Sequence, residues 1–425
     1  MHHRLIVRGL IPALASLTLL GLPAELQAYS VFAHETLIDA AWESSILPLL
    51  HRRFPDATPE DILEGHAFAY GGSIIQDLGY YPRGSHEYSD LVHYVRSGDF
   101  IQALIADSRD VREYAFALGA LAHYSADREG HRVAVNRAVP MLYPHLREKY
   151  GDLVTYEDDP VAHVKTEFGF DVLEVAKQRF APDSYRNFIG FKIAKELLQH
   201  AFEETYSIPL DSMFPSLDRA IGSLRYNVHS LIPTAVKVAW TLKQKEIKQD
   251  IPGMTREKYL YNLSKASYEK EWGGDYQKPG RGAKTLGFLI RLLPKIGPLS
   301  ILSLRTPTPA TEQMFEASFN AALQDYRNLL RSLHEGKLAL PNINLDTGGI
   351  TAPGQYFMSD GAYARLLGQL TSKRAEQISP VLRADILSYF AGAWFQGPIR
   401  QDKLDKTKAD WSRIHQQIHM LEIQP

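Results

Sequence analysis

The sequence predicts an all-α protein, and three features of its residue pattern support that prediction. Apolar residues recur at helical spacing through most of the chain beyond residue 28. No long stretch alternates between apolar and polar residues with period two, so we expect no large sheet. Clusters of Pro and Gly mark loops between the helical segments. These clusters lie at Gly71–Gly72, Tyr81–Gly84, Asp158–Pro160, Lys278–Gly282 and Asn342–Gly354.

The composition excludes several classes of protein. The chain has 425 residues, of which 45% are hydrophobic and 23% charged, so it is neither disordered nor fibrous. It contains no Cys, and a metal site must therefore use His, Asp, Glu or backbone groups. The 47 basic and 49 acidic residues give a net charge of −2, which provides no strong attraction to nucleic acid or anionic lipid.

Residues 1–28 have the pattern of a secretory signal peptide. Arg4 and Arg8 precede an apolar run from Leu10 to Leu22, and a short polar stretch ends at Ala28. The apolar run is shorter than the ~20 residues that a helix needs to cross a bilayer, so a permanent anchor is the minor alternative. Cleavage after Ala28 removes two Arg and one Glu and leaves a net charge of −3. We therefore expect a secreted or periplasmic protein.

The rest of the chain divides into a candidate catalytic domain, 29–245, and a mostly helical C-terminal extension of unknown role, 246–425. The polar stretch Lys243–Thr255 contains Pro and Gly and is the candidate boundary. The helical segments of the domain are Thr36–Leu50, Phe100–Ile105, Tyr114–Tyr124, Phe188–Phe202 and Leu217–Lys245. Those of the extension are Arg256–Trp272, Glu312–His334, Ala362–Leu370 and Pro380–Phe395.

The strongest chemical signal is a polar strip on an apolar helix. His123, Asp127 and His131 are four residues apart, and each step of four advances only about 40° around a helix, so the three side chains share one face. Phe116 and Leu121 place the segment in a core, where unpaired groups of this kind would cost roughly 1–3 kcal/mol each. Coordination of a divalent cation removes that cost. A hydrogen-bonded strip that faces solvent is the alternative.

Each of the other candidate ligands, taken alone, is a weaker indication of a metal site. His163 and Glu167 are four residues apart on a segment that begins with Pro160, as helices often do, but a surface ion pair has the same spacing. Asp77 could be a helix cap or a turn residue. His93, next to apolar Leu91 and Val92, could equally be a core histidine.

The mature N-terminus offers a further ligand. Cleavage after Ala28 frees the amine of Tyr29, which could chelate a metal together with its own carbonyl and with His34. A buried His at the start of the first helix is the alternative for His34. Two other histidines are alternative candidates for the metal-ligand positions. His86 is predicted to lie in a loop, and His145 has no acidic residue four positions later in the sequence.

The ordered set of candidates resembles the ligands of the trinuclear zinc phosphodiesterases. That superfamily contains bacterial zinc-dependent phospholipases C, clostridial alpha-toxin, fungal single-strand-specific nucleases and glycosylphosphatidylinositol phospholipase D. The resemblance covers about residues 29–245, and the phrases Ser89–Tyr94 and Ala115–Tyr124 look most like the bacterial phospholipase C group. The set is Tyr29, His34, Asp77, His93, His123, Asp127, His131, His163 and Glu167.

The resemblance implies an all-α domain that holds about three Zn²⁺ ions. One zinc would be held by Asp77, His93, His123 and Asp127. A second would be held by His131, His163 and Glu167, and a third by Tyr29, His34 and the shared Asp127. Asp77 would also be the general base. Three departures from the family are Tyr29 in place of Trp, an Asp127–His131 spacing like that of the D-type branch, and an inserted segment around 132–159.

The resemblance implies that the protein hydrolyses phosphodiesters. Within that class, it most closely implies a phospholipase C, which releases lipid headgroups. The reaction would be attack of a metal-activated water on phosphorus. The apolar and basic stretch 281–305 would suit contact with a lipid surface. A single-strand-specific nuclease with the same metals is one alternative, although the composition offers no basic groove for nucleic acid. A non-catalytic, metal-stabilised binding protein is the other.

Overall fold

The computed structural model describes residues 31–176, 190–228, 248, 305, 307–372, 377–391 and 404–423. Within these ranges the chain is helical, and its one β-type contact is an isolated antiparallel bridge between Ile343 and Ile350. The prediction of an all-α fold is confirmed. Several predicted features lie outside the described residues: the signal peptide 1–28, Tyr29, the boundary at 245/246, the helix Arg256–Trp272, the loop Lys278–Gly282 and nearly all of 281–305.

The candidate catalytic half begins with a run of short helices around one long helix. The helices are α1 (Val31–Ala41), α2 (Leu47–Arg53), α3 (Pro59–Gly72), α4 (His86–Tyr94), α5 (Ser97–Asp107), α6 (Val111–Gly130), α7 (Asn136–Leu142), α8 (Pro144–Tyr150), α9 (Pro160–Ala176), α10 (Lys195–Tyr206) and α11 (Leu217–Tyr226). The π-helical turns Trp42–Ile46 and His131–Val135 join α1 to α2 and α6 to α7, and the 3-10 turns are Ile75–Tyr80 and Leu210–Met213.

The described part of the C-terminal extension is also helical. It contains α12 (Pro309–His334), α13 (Phe357–Leu370), α14 (Pro380–Ala391) and α15 (Leu404–Ile423). A loop, 335–356, joins α12 to α13. No helix in the described ranges combines the length and the apolar character that crossing a membrane requires.

Helix α6 lies at the centre of the core, and glycines set its distance from α3. A Cβ at Gly72 would lie 2.0 Å from the carbonyl oxygen of Phe116, and one at Gly119 would lie 2.1 Å from that of Ala69. Only Gly permits such an approach of two backbones. The close crossing brings Ser73, just beyond α3, beside the metal-ligand candidate His123 on α6.

The same contacts correct two predictions from the sequence. The loop predicted at Gly71–Gly72 is wrong, because both residues lie in the last turn of α3, where the missing side chains make room for neighbouring backbone. The predicted helix Phe188–Phe202 begins too early. Residues 190–194 are not helical, Gly190 has a positive φ of 90°, and α10 begins at Lys195.

The C-terminal helices pack directly on the helices of the first half. The hydroxyl of Tyr326 on α12 donates to the carbonyl of Leu118 at 2.9 Å, and Ser125 donates to Asp325 at 2.6 Å. In the loop 335–356, the carbonyl of Ile343 accepts from Ser97 at 2.7 Å. The described parts of both halves therefore contribute to one hydrophobic core.

Candidate metal centre

Eight of the nine predicted ligand residues lie in the described ranges, and they come from six different elements. His34 is on α1, Asp77 on the turn Ile75–Tyr80, His93 on α4, His123 and Asp127 on α6, His131 in the turn His131–Val135, and His163 and Glu167 on α9. All eight are buried, with at most 3% of each residue exposed. The ninth, Tyr29, lies outside the described residues.

Asp77, His93 and His123 form the first cluster. The Nε2 atom of His93 lies 3.4 Å from Oδ1 of Asp77 and 3.3 Å from Nε2 of His123. Two ligand atoms that each lie about 2.1 Å from a tetrahedral zinc are about 3.4 Å apart. The third pair, Nε2 of His123 and Oδ1 of Asp77, is 3.9 Å apart. Two of the three separations in this cluster therefore match those of ligands around one metal ion, and the third is longer.

Backbone carbonyls fix the orientation of the two imidazoles in this cluster. The Nδ1 atom of His93 lies 2.8 Å from the carbonyl of Ser89, and that of His123 lies 2.9 Å from the carbonyl of Ser73. A carbonyl oxygen only accepts hydrogen bonds, so each Nδ1 carries a proton. In neutral rings the two Nε2 lone pairs would then face each other at 3.3 Å, an arrangement that repels unless a cation or a proton lies between them.

Asp127 faces two groups of ligands at once. Its Oδ2 atom lies 3.0 Å from Nε2 of His123 and 3.4 Å from Nε2 of His93. Its Oδ1 atom lies 3.5 Å from Nε2 of His34. The ring of His34 stacks on that of His123 with the centroids 4.5 Å apart. A carboxylate with one oxygen toward each group is suited to bridge two cations.

His131, His163 and Glu167 form the second cluster. The Oε1 atom of Glu167 lies 2.9 Å from Nε2 of His163 and 3.3 Å from Nε2 of His131. The two rings are nearly perpendicular, with their centroids 5.0 Å apart. The pair that the sequence alone could not distinguish from a surface ion pair is thus buried and converges on His131.

The charges of the site depend on this burial. Burial raises the pKa of Asp77. Burial also opposes the charge of Asp127, but His123 and His131 outweigh it and hold the pKa of Asp127 well below its usual range. For His93, burial is outweighed by Asp127 and Asp77, which raise its pKa to about 10. In the metal-free protein, protons therefore occupy positions at which a metal would bind, and metal uptake must displace them.

The rival histidines do not belong to these clusters. His86 is the first residue of α4 and is exposed, so its predicted place in a loop is wrong, whereas its exclusion from the ligand set agrees with the structure. His145 lies on α8 and is also exposed.

The structure adds one carboxylate that the sequence did not indicate. Asp346, in the loop 335–356, lies with its Oδ1 atom 3.3 Å from Nδ1 of His131. The loop was predicted only from its Gly and Pro content. No spacing pattern could link Asp346 to His131 across so long a stretch of chain.

Two tyrosines next to Asp77 have different environments. The Tyr80 ring lies 5.7 Å from that of His93, and its buried hydroxyl has no hydrogen-bond partner among the described residues. Tyr81 is buried in the hydrophobic core. Tyr80 is therefore the one of the two that has an unused polar group beside the first cluster.

Comparison with known proteins assigns this region of the chain. Residues 33–215 match a family model described as zinc dependent phospholipase C. The matched segment contains His34, Glu167 and all the ligand candidates between them, but it does not contain Asp346. Neither the curated proteins nor the solved structures gave a match to the chain. Over residues 33–215, the chain is therefore similar to the zinc-dependent phospholipase C family.

Proposed function

We propose that this protein is a zinc-dependent phosphodiester hydrolase that acts as a phospholipase C on phospholipid headgroups. The convergence of the predicted ligands carries the proposal. Eight side chains from six elements meet in buried clusters with separations close to those around zinc, and all eight lie in the segment that matches the family.

The metal assignment that we propose follows the contacts of the clusters. Asp77, His93, His123 and Asp127 hold one zinc; His131, His163 and Glu167 hold a second; and His34, Asp127 and the amine and carbonyl of Tyr29 hold a third. Asp127 is the shared ligand because its two oxygens face different imidazoles. Zinc suits this set, since imidazole and carboxylate are its usual ligands where Cys is absent.

When bound, zinc supplies Lewis-acid polarisation of the phosphoryl group and lowers the pKa of water. The residues of the chain contribute position and proton transfer. Asp77 is the proposed general base, because it is a buried carboxylate within the first cluster, 3.4 Å from Nε2 of His93. Tyr80 is the proposed hydrogen-bond donor to the substrate, because its buried hydroxyl beside His93 has no partner in the described part of the chain.

The location of the enzyme is part of the proposal. We infer export through the signal peptide 1–28, with cleavage after Ala28, to the periplasm or the medium. We further propose that the stretch 281–305 contacts the lipid surface, since it combines apolar residues with Arg281, Lys284, Arg291 and Lys295. These inferences rest on the sequence.

Signal processing is expected to create a metal ligand. Only a terminal residue offers its amine and carbonyl together for a five-membered chelate, so an extra residue before Tyr29 should remove the third zinc and lower the rate. The experiment compares chains that begin at Tyr29 with chains that begin with Met before Tyr29, by elemental analysis and turnover. Equal zinc content and equal rates would show that the N-terminus is not a ligand.

The substrate class is tested on a phospholipid panel and on single-stranded DNA with the same preparation. We expect release of a phosphorylated headgroup, lost on chelation and restored by zinc. Phosphatidic acid as the product would indicate D-type cleavage instead. Cleavage of DNA with every phospholipid intact would replace the proposal with a nuclease. Zinc-loaded protein that hydrolyses neither would favour a metal-stabilised binding protein.

A further inference from the structure

We propose that Asp346 is a positioning residue that orients His131 to bind the second metal through Nε2. The inference rests on the proposed metal centre and adds a residue from outside the segment that matches the family. The two nitrogens of His131 face different carboxylates: Nε2 lies 3.3 Å from Glu167, and Nδ1 lies 3.3 Å from Oδ1 of Asp346. Nδ1 forms no hydrogen bond among the described residues, and Oδ1 of Asp346 is the carboxylate oxygen that lies beside it.

The position of Asp346 is itself fixed by hydrogen bonds. Its other oxygen, Oδ2, accepts from the hydroxyls of Tyr94 and Tyr356. Its backbone carbonyl accepts from the side chain of Asn136 at 2.7 Å. These bonds join Asp346 to α4, to the start of α13 and to α7, and the residue is only 3% exposed. A carboxylate held in this way has one oxygen left for His131.

A carboxylate next to the outer nitrogen of a metal-binding histidine sets which nitrogen carries the proton. With the proton on Nδ1, the lone pair of Nε2 is free for the metal, and the ring is held at the right angle and made more basic. For His93 and His123 backbone carbonyls have this role, through Ser89 and Ser73. For His131 the partner is a side chain from the C-terminal extension.

Replacement of Asp346 by Asn gives a sharp test because the two tyrosines favour one orientation of the amide. Both hydroxyls donate to the Oδ2 position, and that of Tyr356 already accepts from the backbone N–H of Glu157. We therefore expect the amide oxygen at the Oδ2 position and the NH₂ group facing Nδ1 of His131. A donor at that place requires Nδ1 to accept, which puts the ring proton on Nε2 and blocks the metal. The substitution therefore changes the tautomer of His131, while the side chain at position 346 keeps its shape.

We expect Asp346→Asn to weaken zinc at one site by about 10- to 100-fold, as measured by competition with a chromogenic chelator. The matched control is Asp360→Asn. Asp360 also lies in the C-terminal extension and accepts from Tyr389 and from the backbone of Gly354, but it contacts no ligand candidate. The control should keep wild-type zinc affinity even where its melting temperature falls.

A second measurement needs no substitution. In zinc-loaded wild-type protein with ¹⁵N-labelled histidine, His131 should have a protonated Nδ1 and a metal-bound Nε2. Zinc on Nδ1, or full zinc affinity in folded Asp346→Asn protein, would overturn the inference and leave the proposed function standing. A wild-type protein that binds no zinc would overturn both.

Discussion

Replacing Asp127 with Ala is expected to abolish hydrolysis and to lower the zinc content by at least one equivalent per chain. The carboxylate faces His34 through one oxygen and His93 and His123 through the other, so its loss removes a ligand from two proposed sites. Metal ions typically contribute several kcal/mol of transition-state stabilisation, which corresponds to a rate loss of about 10³-fold or more. Elemental analysis and turnover on the preferred phospholipid measure the two effects.

Asp325→Ala is the control for that variant. Asp325, on α12, pairs with Arg128 and accepts from Ser125, both of which lie within two residues of Asp127 on α6, but it does not face the ligands. The control should lose some stability and keep its zinc and its activity. An Asp127→Ala protein with full zinc content and normal turnover would rule out the shared ligand.

Removal of zinc by a chelator is expected to lower the melting temperature as well as to stop hydrolysis. Without metal, the buried site keeps the carboxylates of Asp77, Asp127 and Glu167 close to five imidazoles, and only protons can then balance the negative charge of the carboxylates. Zinc at 100 times its Kd adds about 2.7 kcal/mol for each site to the free energy of unfolding. A chain of this size should then melt at least about 5 °C lower after chelation.

The specificity of that shift is tested by two additions. Zinc should restore both the melting temperature and the rate, and Mg²⁺ should restore neither, because imidazole ligands favour zinc. Asp127→Ala protein should show a smaller shift on chelation than wild type, since part of its zinc is already absent. Identical melting curves for the wild type with and without chelator would contradict a metal contribution to the fold.

Local spacing explains how much of the site could be predicted from the sequence. His123, Asp127 and His131 follow a step of four, and the structure brings His123 and Asp127 to 3.0 Å on α6. The step of four from His163 to Glu167 places that pair in contact on α9. Such spacings indicate which side chains share a helix face, because helix geometry is fixed by the backbone.

Contacts between distant segments could not be predicted in the same way. Gly71 and Gly72 were predicted to form a loop, since Gly is a common loop residue. In the structure they lie in a helix and let the backbones of other segments approach it closely. Asp346 lies beside His131 because the C-terminal extension packs on the candidate catalytic half. In both cases the deciding partner lies far along the chain, and no local pattern encodes it.

The most direct test of the account is anomalous diffraction at the zinc absorption edge from crystals of the mature protein. We predict one peak between Asp77, His93 and His123, a second between His131, His163 and Glu167, and a third beside His34 and Asp127. Crystals grown with zinc that show no anomalous density within these clusters would contradict the claim that they form a metal centre.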